Sequence, residues 1–287
     1  MENRTTGADT IVFIHGLYMT ARSWEQWEQR FTERGYKVIN TNWPGLEGEV
    51  EALRQDPSPI ARLNVRMILD HYEGIITGLE RPPIIMGHSF GGAFTQVLLS
   101  RGLGAAGVTV DSASVRGVLD LPLSTVRASW PLLRNPLFRH RAVNLTPKQF
   151  HYAFTNTLTE EESLKIYDRY NIPGSRNVLL EGANANLNPF TALGVDFKKN
   201  DRAPLLFIAG GNDHIIPASV NRHNAGKYRK SSAITDFVEF PERSHFTVGQ
   251  PGWEQVADLA QQWALNPATE VSAAAATPLQ RMSGSPA

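Results

Sequence analysis

Apolar residues along this chain fall into short runs with two periods. Thr10 to Ile14 is a β-branched and aromatic run that stops at His15-Gly16, the pattern of a strand buried on both faces of a parallel sheet. A helix is predicted next: Ser23 with Gln26 spells a capping box, Trp24, Trp27 and Phe31 share one face, and Gly35 ends it. Lys37 to Asn42 reads as the second strand, closed by Trp43-Pro44-Gly45. After a loop, Pro59 to Gly78 carries Ile60, Leu63, Met67, Leu69, Tyr72 and Ile76 at helical spacing. Ser58 and Pro59 stand at its start as cap and first helical residue.

The alternation then repeats. Ile84 to Gly87 is a strand running into Ser89 and directly into a helix, Phe90 to Arg101, closed by Gly102. Gly107 to Val110, Ala203 to Ala209 and Ile234 to Phe240 are further strands. Helices are predicted after Pro217 and over Gly252 to Leu265, where Val256, Leu259, Ala260 and Trp263 form the apolar face. Strands alternating with helices predict an α/β fold with a parallel sheet of about six strands, covered on both faces.

One stretch departs from this rhythm. Between about Ser112 and Asn200 no convincing strand appears. Thr146 with Gln149 and Thr159 with Glu162 spell capping boxes, and aromatics are frequent. The stretch is too long for a bare loop and reads as a helical insertion. The expected division is a core domain over 1–112 and 201–266, a helical insertion over 113–200, and a disordered Ala/Ser/Thr/Pro-rich tail over 267–287.

Composition narrows the function classes. With 287 residues the chain is long enough for one large domain without staples. Its 28 basic residues cancel 28 acidic ones, and no run of like charge favours nucleic acid or a polybasic membrane contact. There is no cysteine, which excludes disulfides, thiolate catalysis and cysteine-ligated metals. No apolar run reaches the roughly 18 residues of a membrane span. A polar N-terminus without an apolar signal core makes the cytoplasm the expected compartment. Oligomeric state is not legible.

Gly87-His88-Ser89-Phe90-Gly91 fits the pattern G-x-S-x-G, and Gly92 extends it. That spacing suits a sharp strand-to-helix turn, which holds a serine in a strained conformation at the carboxyl edge of the sheet. Amides and the helix dipole there favour a developing negative charge. A serine hydroxyl needs a base, and His245, between the last strand and the last helix, is placed to be one. A third group must orient the imidazole. Asp213 follows a strand and two glycines, Gly210-Gly211, and Asp111, at the end of the fourth strand, is the alternative acid. The bland readings are that Ser89 is only a helix cap and Asp213 only a turn residue. His15 reads as a structural brace, and His88 as buried and neutral, directed away from the nucleophile. His214 beside Asp213 is too little for a metal site.

Taken in order, His15-Gly16 after the first strand, Gly87 to Gly92, Gly210 to Pro217, and His245 before the final helix resemble the α/β-hydrolase superfamily over about Thr10 to Leu265. The resemblance implies an oxyanion hole built from the N–H groups of Leu17 and Phe90. It also implies that the insertion is a cap over the active site. Tyr18, beside Leu17, and the aromatics Trp130, Phe154 and Phe190 are candidate substrate-binding residues, with packing alone as the bland reading of each.

The function expected is a serine hydrolase for a small to medium, largely apolar carboxylic ester, with no metal or organic cofactor and a small molecule as its partner. The same triad could cleave amides, lactones or carbon–carbon bonds beside a ketone, or run perhydrolysis. A small-molecule receptor on the same fold is the reading from another class. Enzymes of this fold with an aspartate nucleophile are disfavoured by serine at position 89.

Overall fold

A computed structural model describes residues 6–120, 122–133 and 141–267, without the side chains of 129–133. The expected tail lies outside the described residues, apart from Pro267. Strand β1 (Thr10–Ile14) is wholly buried and leads through a 3₁₀ turn, Ala21–Trp24, into helix α1 (Glu25–Glu33). The predicted Ser23 capping box does not form. Thr20 caps the turn instead, and the Ser23 hydroxyl donates to the Thr20 carbonyl. Trp24, Trp27 and Phe31 do share the buried face, gathered around Phe13.

Strand β2 (Lys37–Asn40) is followed by a short helix, α2 (Val50–Gln55), where the sequence predicts a loop. The single helix expected over Pro59 to Gly78 is two, α3 (Ser58–Arg62) and α4 (Val65–Thr77). The chain extends at Leu63, and the Asn64 side chain accepts from the Met67 amide. A capping asparagine thus interrupted a continuous apolar periodicity. Strand β3 (Ile84–His88) enters α5 (Phe90–Ser100), and β4 (Ala106–Val110) follows.

The insertion comes next: α6 (Leu123–Leu133), β5 (Ala142–Val143), α7 (Pro147–Phe154), α8 (Glu160–Tyr170), β6 (Gly174–Ser175) and α9 (Arg176–Ala183). Both expected capping boxes, at Thr146 and Thr159, are present. The two-residue antiparallel ladder of β5 with β6 is a correction to the strandless reading. It is too short to leave a periodic signal. The core then resumes with β7 (Leu205–Gly210), α10 (Ala218–Lys227), β8 (Thr235–Phe240) and α11 (Trp253–Leu265).

Six strands form one sheet in the order β2-β1-β3-β4-β7-β8, parallel throughout. The register places Ile14 beside Gly87, His88 beside Val110, and Gly210 beside Phe240. The carboxyl ends of these strands therefore lie along one edge, where ligands bind in open parallel sheets. Helix α5 is buried from Phe90 to Leu99, as a helix covered on every side must be, and its apolar content matches. Among the described residues no helix is long and apolar enough to cross a membrane.

Candidate active site

The turn from β3 into α5 carries Ser89 at φ 56° and ψ −118°. Such a conformation costs on the order of 1–3 kcal/mol in a non-glycine residue. Neighbouring hydrogen bonds impose it: the Ser89 amide donates to Val110 O, while its carbonyl accepts from Gly92, Ala93 and Ala113. Two glycines permit it. A Cβ on Gly87 would sit 2.1 Å from Gly91 O, and one on Gly91 would sit 2.0 Å from Ile14 O. Although Ser89 occupies the cap position of α5, its side chain makes no capping bond. The hydroxyl is directed elsewhere.

It points at His245, with Oγ 3.0 Å from Nε2, and His245 Nδ1 is 2.6 Å from Asp213 Oδ2. A carboxylate only accepts, so Nδ1–H donates to Asp213 and Nε2 is left to accept from Ser89. Asp213 Oδ1 accepts from the Ile215 and Ile216 amides at 2.7 and 2.8 Å. The Asp213 and His245 side chains are both fully buried. Low surrounding polarity strengthens such charge-assisted bonds.

A pocket of about 50 Å³ opens over Ser89 and His245. It is walled by Leu17, Tyr18, Phe90, Ala128, Leu145, Ala153, Phe154, Leu179 and Ile215. Phe90 opens α5, so its N–H is one of the amides at a helix start that lack an intrahelical acceptor. Leu17 lies in the loop after β1, on the same pocket. The wall is apolar apart from the serine and histidine. Within it the Phe154 ring stands edge-on to His245, with centroids 4.9 Å apart, and to Tyr18, at 6.3 Å.

The residues expected to touch substrate therefore divide. Tyr18 and Phe154 line the pocket. Phe190 does not: it is 87% exposed, in a turn where its amide bonds the Asn188 side chain. Aromatic character alone carries no direction, and a turn fixed by polar backbone bonds left this ring in water. The side chain of Trp130 lies outside the described residues.

The insertion is fastened to the loops that bear Tyr18, Asp213 and His245. Phe246, after the histidine, donates its amide to Phe154 O. His214, after the acid, donates through Nδ1 to Tyr152 O, and Asn156 donates to Asn212 O. Ile172 donates its amide to Tyr18 O, where Tyr18 itself sits at φ 71°. These bonds join segments far apart in sequence and left no sequence signal.

Two buried histidines brace the constellation. His15 donates from Nδ1 to Gly16 O, accepts the Trp43 amide at Nε2, and stacks on the Trp43 ring. Burial pushes its pKa down to about 4. His88 donates from Nε2 to the carbonyl of His245 at 2.7 Å. Burial, then the nearby His245, holds it well below the usual histidine range. Buried and neutral as expected, His88 also pins the backbone of His245, a role that its place in the sequence does not reveal. Asp111, the alternative acid, is fully buried and accepts the Gly210 amide at 2.6 Å. It belongs to the same cluster without holding His245 Nδ1.

Nitrogens of His88 and His245 and an oxygen of Asp111 lie within 4.8 Å of one another, the set among these residues nearest to a metal site. Both His245 nitrogens are already committed, to Asp213 and Ser89, which leaves only His88 and Asp111 to offer a free atom. A metal would have to break the Ser89–His245–Asp213 line to gain a third ligand, so the set does not make a metal site as it stands.

Comparison with known proteins agrees with this architecture. The family model described as "Alpha/beta hydrolase family" matches residues 11–259. A pyrethroid hydrolase from Sphingobium faniae superposes with TM-score 0.63 at 16% identity, covering 90% of this chain and 97% of that one. A monoacylglycerol lipase from Paleococcus ferrophilus gives 0.62 at 17% identity, with 92% and 99% covered. Polyneuridine aldehyde esterase gives 0.60 at 13%, with 89% and 98% covered. No curated protein sequence matches the chain. At these identities the structures share the fold, and the site is argued from its own geometry.

Proposed function

The chain belongs to the alpha/beta hydrolase family, and from that premise we propose that it is a serine hydrolase of a small to medium, largely apolar carboxylic ester. Ser89 is the nucleophile, His245 the base and Asp213 the acid that orients it. The observation that carries the reading is the unbroken line from Asp213 Oδ2 through His245 to Ser89 Oγ, with spacings of 2.6 and 3.0 Å. It ends on a strained serine beneath an apolar pocket.

In the first half-reaction His245 Nε2 takes the Ser89 proton as Oγ attacks the ester carbonyl. The tetrahedral oxyanion is held by the amides of Leu17 and Phe90, a donor of this kind being worth about 3 kcal/mol in the transition state. His245 returns the proton to the departing alcohol. Water then attacks the acyl-serine with His245 again as base, releasing the acid. Asp213 stays ionised and stabilises the imidazolium in both halves. Nothing in the sequence of steps calls for a metal or an organic cofactor.

Helices α6 to α9 act as a cap. Their bonds to the loops of Tyr18, Asp213 and His245 support this, as do Ala128, Leu145, Ala153, Phe154 and Leu179 in the pocket wall. The small apolar pocket favours short, uncharged acyl and alkoxy groups. The names of the similar structures, a pyrethroid hydrolase, a monoacylglycerol lipase and an esterase, are in keeping with a hydrolase of this kind without choosing its substrate.

A panel of p-nitrophenyl esters from acetate to decanoate, run beside charged analogues, tests the reading. Turnover of the short neutral esters, lost in Ser89→Ala, is expected. A preference for charged substrates would overturn the substrate class. Tight ligand binding without turnover would favour the receptor reading.

A further inference from the structure

Asp111 is buried beside the triad, yet the mechanism above leaves it without a task. Its backbone is held at φ 48°, a conformation uncommon outside glycine and favoured where surroundings over-determine it. The amide that holds it donates to Ile208 O. Oδ1 accepts from Gly210, the first residue of the loop that ends at Asp213. Oδ2 has no hydrogen-bond partner, and a carboxyl oxygen lies within 4.8 Å of ring nitrogens of both His245 and His88. A buried polar atom without a partner is costly and calls for a reason.

We propose that Asp111 is a positioning residue for the triad: it anchors the acid loop through the Gly210 amide and is placed to become the counter-ion of His245 when Asp213 is lost. The inference rests on the assignment of Ser89, His245 and Asp213 made above. The groups that face Asp111 are Asp213 and His245 from the loops after β7 and β8, His88 from β3, and Arg243 and Thr247 on either side of His245. Burial first, then the neighbouring Asp213 charge, pushes the Asp111 carboxyl well above the usual carboxylate range. Two like charges cannot share so dry a space. While Asp213 carries the charge Asp111 stays neutral, and it serves as an acceptor for the loop. Removing the Asp213 carboxylate lifts that repulsion and leaves Asp111 as the carboxyl group beside the imidazole, whose positive charge then favours its ionisation.

The test is a cycle of Asp213→Ala, Asp111→Asn and the double variant, read as kcat/KM against pH. Asparagine matches the shape of aspartate and keeps an acceptor for Gly210. Loss of an acid with no substitute costs roughly 10⁴-fold. Here Asp213→Ala is expected to lose about 10²-fold, and Asp111→Asn a further ~10²-fold in that background but under about tenfold alone. The acid limb of the profile is expected at lower pH in the double variant than in Asp213→Ala, because no carboxylate then faces the imidazole. A loss near 10⁴-fold in Asp213→Ala alone overturns the proposal, and this arm decides even if Asp111→Asn fails to fold. Equal cost of Asp111→Asn in both backgrounds, with an unmoved acid limb, would reduce Asp111 to a structural residue and overturn it too. Ser89→Ala run alongside separates the two levels. If it retains parental activity, the triad assignment itself fails. If it is inactive while the cycle is additive, only the role of Asp111 fails.

Discussion

Gly91→Ala puts the geometry of the turn from β3 into α5 to a quantitative test. The added Cβ would lie 2.0 Å from Ile14 O, 2.7 Å from Ile14 C and 2.8 Å from His15 O. Ordinary contact begins at 3.4 Å, so α5 and β1 must part by about 1.4 Å. Every atom in the way is backbone, and neither element has room to yield. Ile14 is in register with Gly87 on β3, and α5 is buried along its length. Overpacking absorbed by side chains costs about 1–3 kcal/mol, and a backbone clash belongs at the upper end. For a chain of this size ~3 kcal/mol lowers Tm by about 5 °C. The same displacement moves Ser89 and the Phe90 amide at the head of α5, and an error of about 1 Å in a reacting group costs about 10²-fold. Thermal melting by circular dichroism and kcat/KM on a short ester are the assays. A variant melting within about 2 °C of the parent with kcat/KM within about threefold would refute the claim that this contact sets the nucleophile's position.

Other consequences are as direct. Gly74→Ala, on an exposed stretch of α4 with nothing within 4 Å of the new Cβ, is expected to stabilise by about 0.5–1 kcal/mol and leave activity alone; a lower Tm would contradict this. His15 has a folded pKa of about 4 against a usual 6.5. Between those values the unfolded chain binds the extra proton, so the contribution of His15 to stability is present above pH 6.5 and lost as pH falls toward 4, by up to about 3 kcal/mol. Chemical denaturation of the parent and His15→Gln across that window should show the shallower slope in the variant, and parallel curves would refute neutral burial. Phe154→Ala is expected to lose about 3–5 kcal/mol of stability and to move the ester optimum to longer chains. An unchanged chain-length profile would remove Phe154 from the specificity wall.

Much of this was legible in the sequence because the signals were local. The central strands β1, β3, β4 and β7 are short, mainly apolar runs buried throughout, and the turn at Ser89 needs glycines at fixed offsets from one another. The positions of Ser89, Asp213 and His245 at three strand ends follow from parallel topology, which delivers all carboxyl ends to one edge. What was not legible depends on non-local packing. His88 bonds the His245 carbonyl across 157 positions and Asp111 bonds Gly210 across 99, and no spacing rule connects them. The direction of an aromatic ring is equally non-local, so Phe154 and Phe190 read alike in sequence and ended in the pocket and in water. Where local chemistry misled, a competing cap was responsible: Thr20 displaced Ser23, and Asn64 cut one helix into two.

The central claim, an activated serine at position 89, is tested most directly by intact mass after incubation with a small fluorophosphonate. The account predicts a single adduct on the parent chain, mapped to Ser89 by peptide digestion and absent from Ser89→Ala. An unlabelled parent whose fold is intact by circular dichroism, or an adduct that persists in Ser89→Ala, would contradict it.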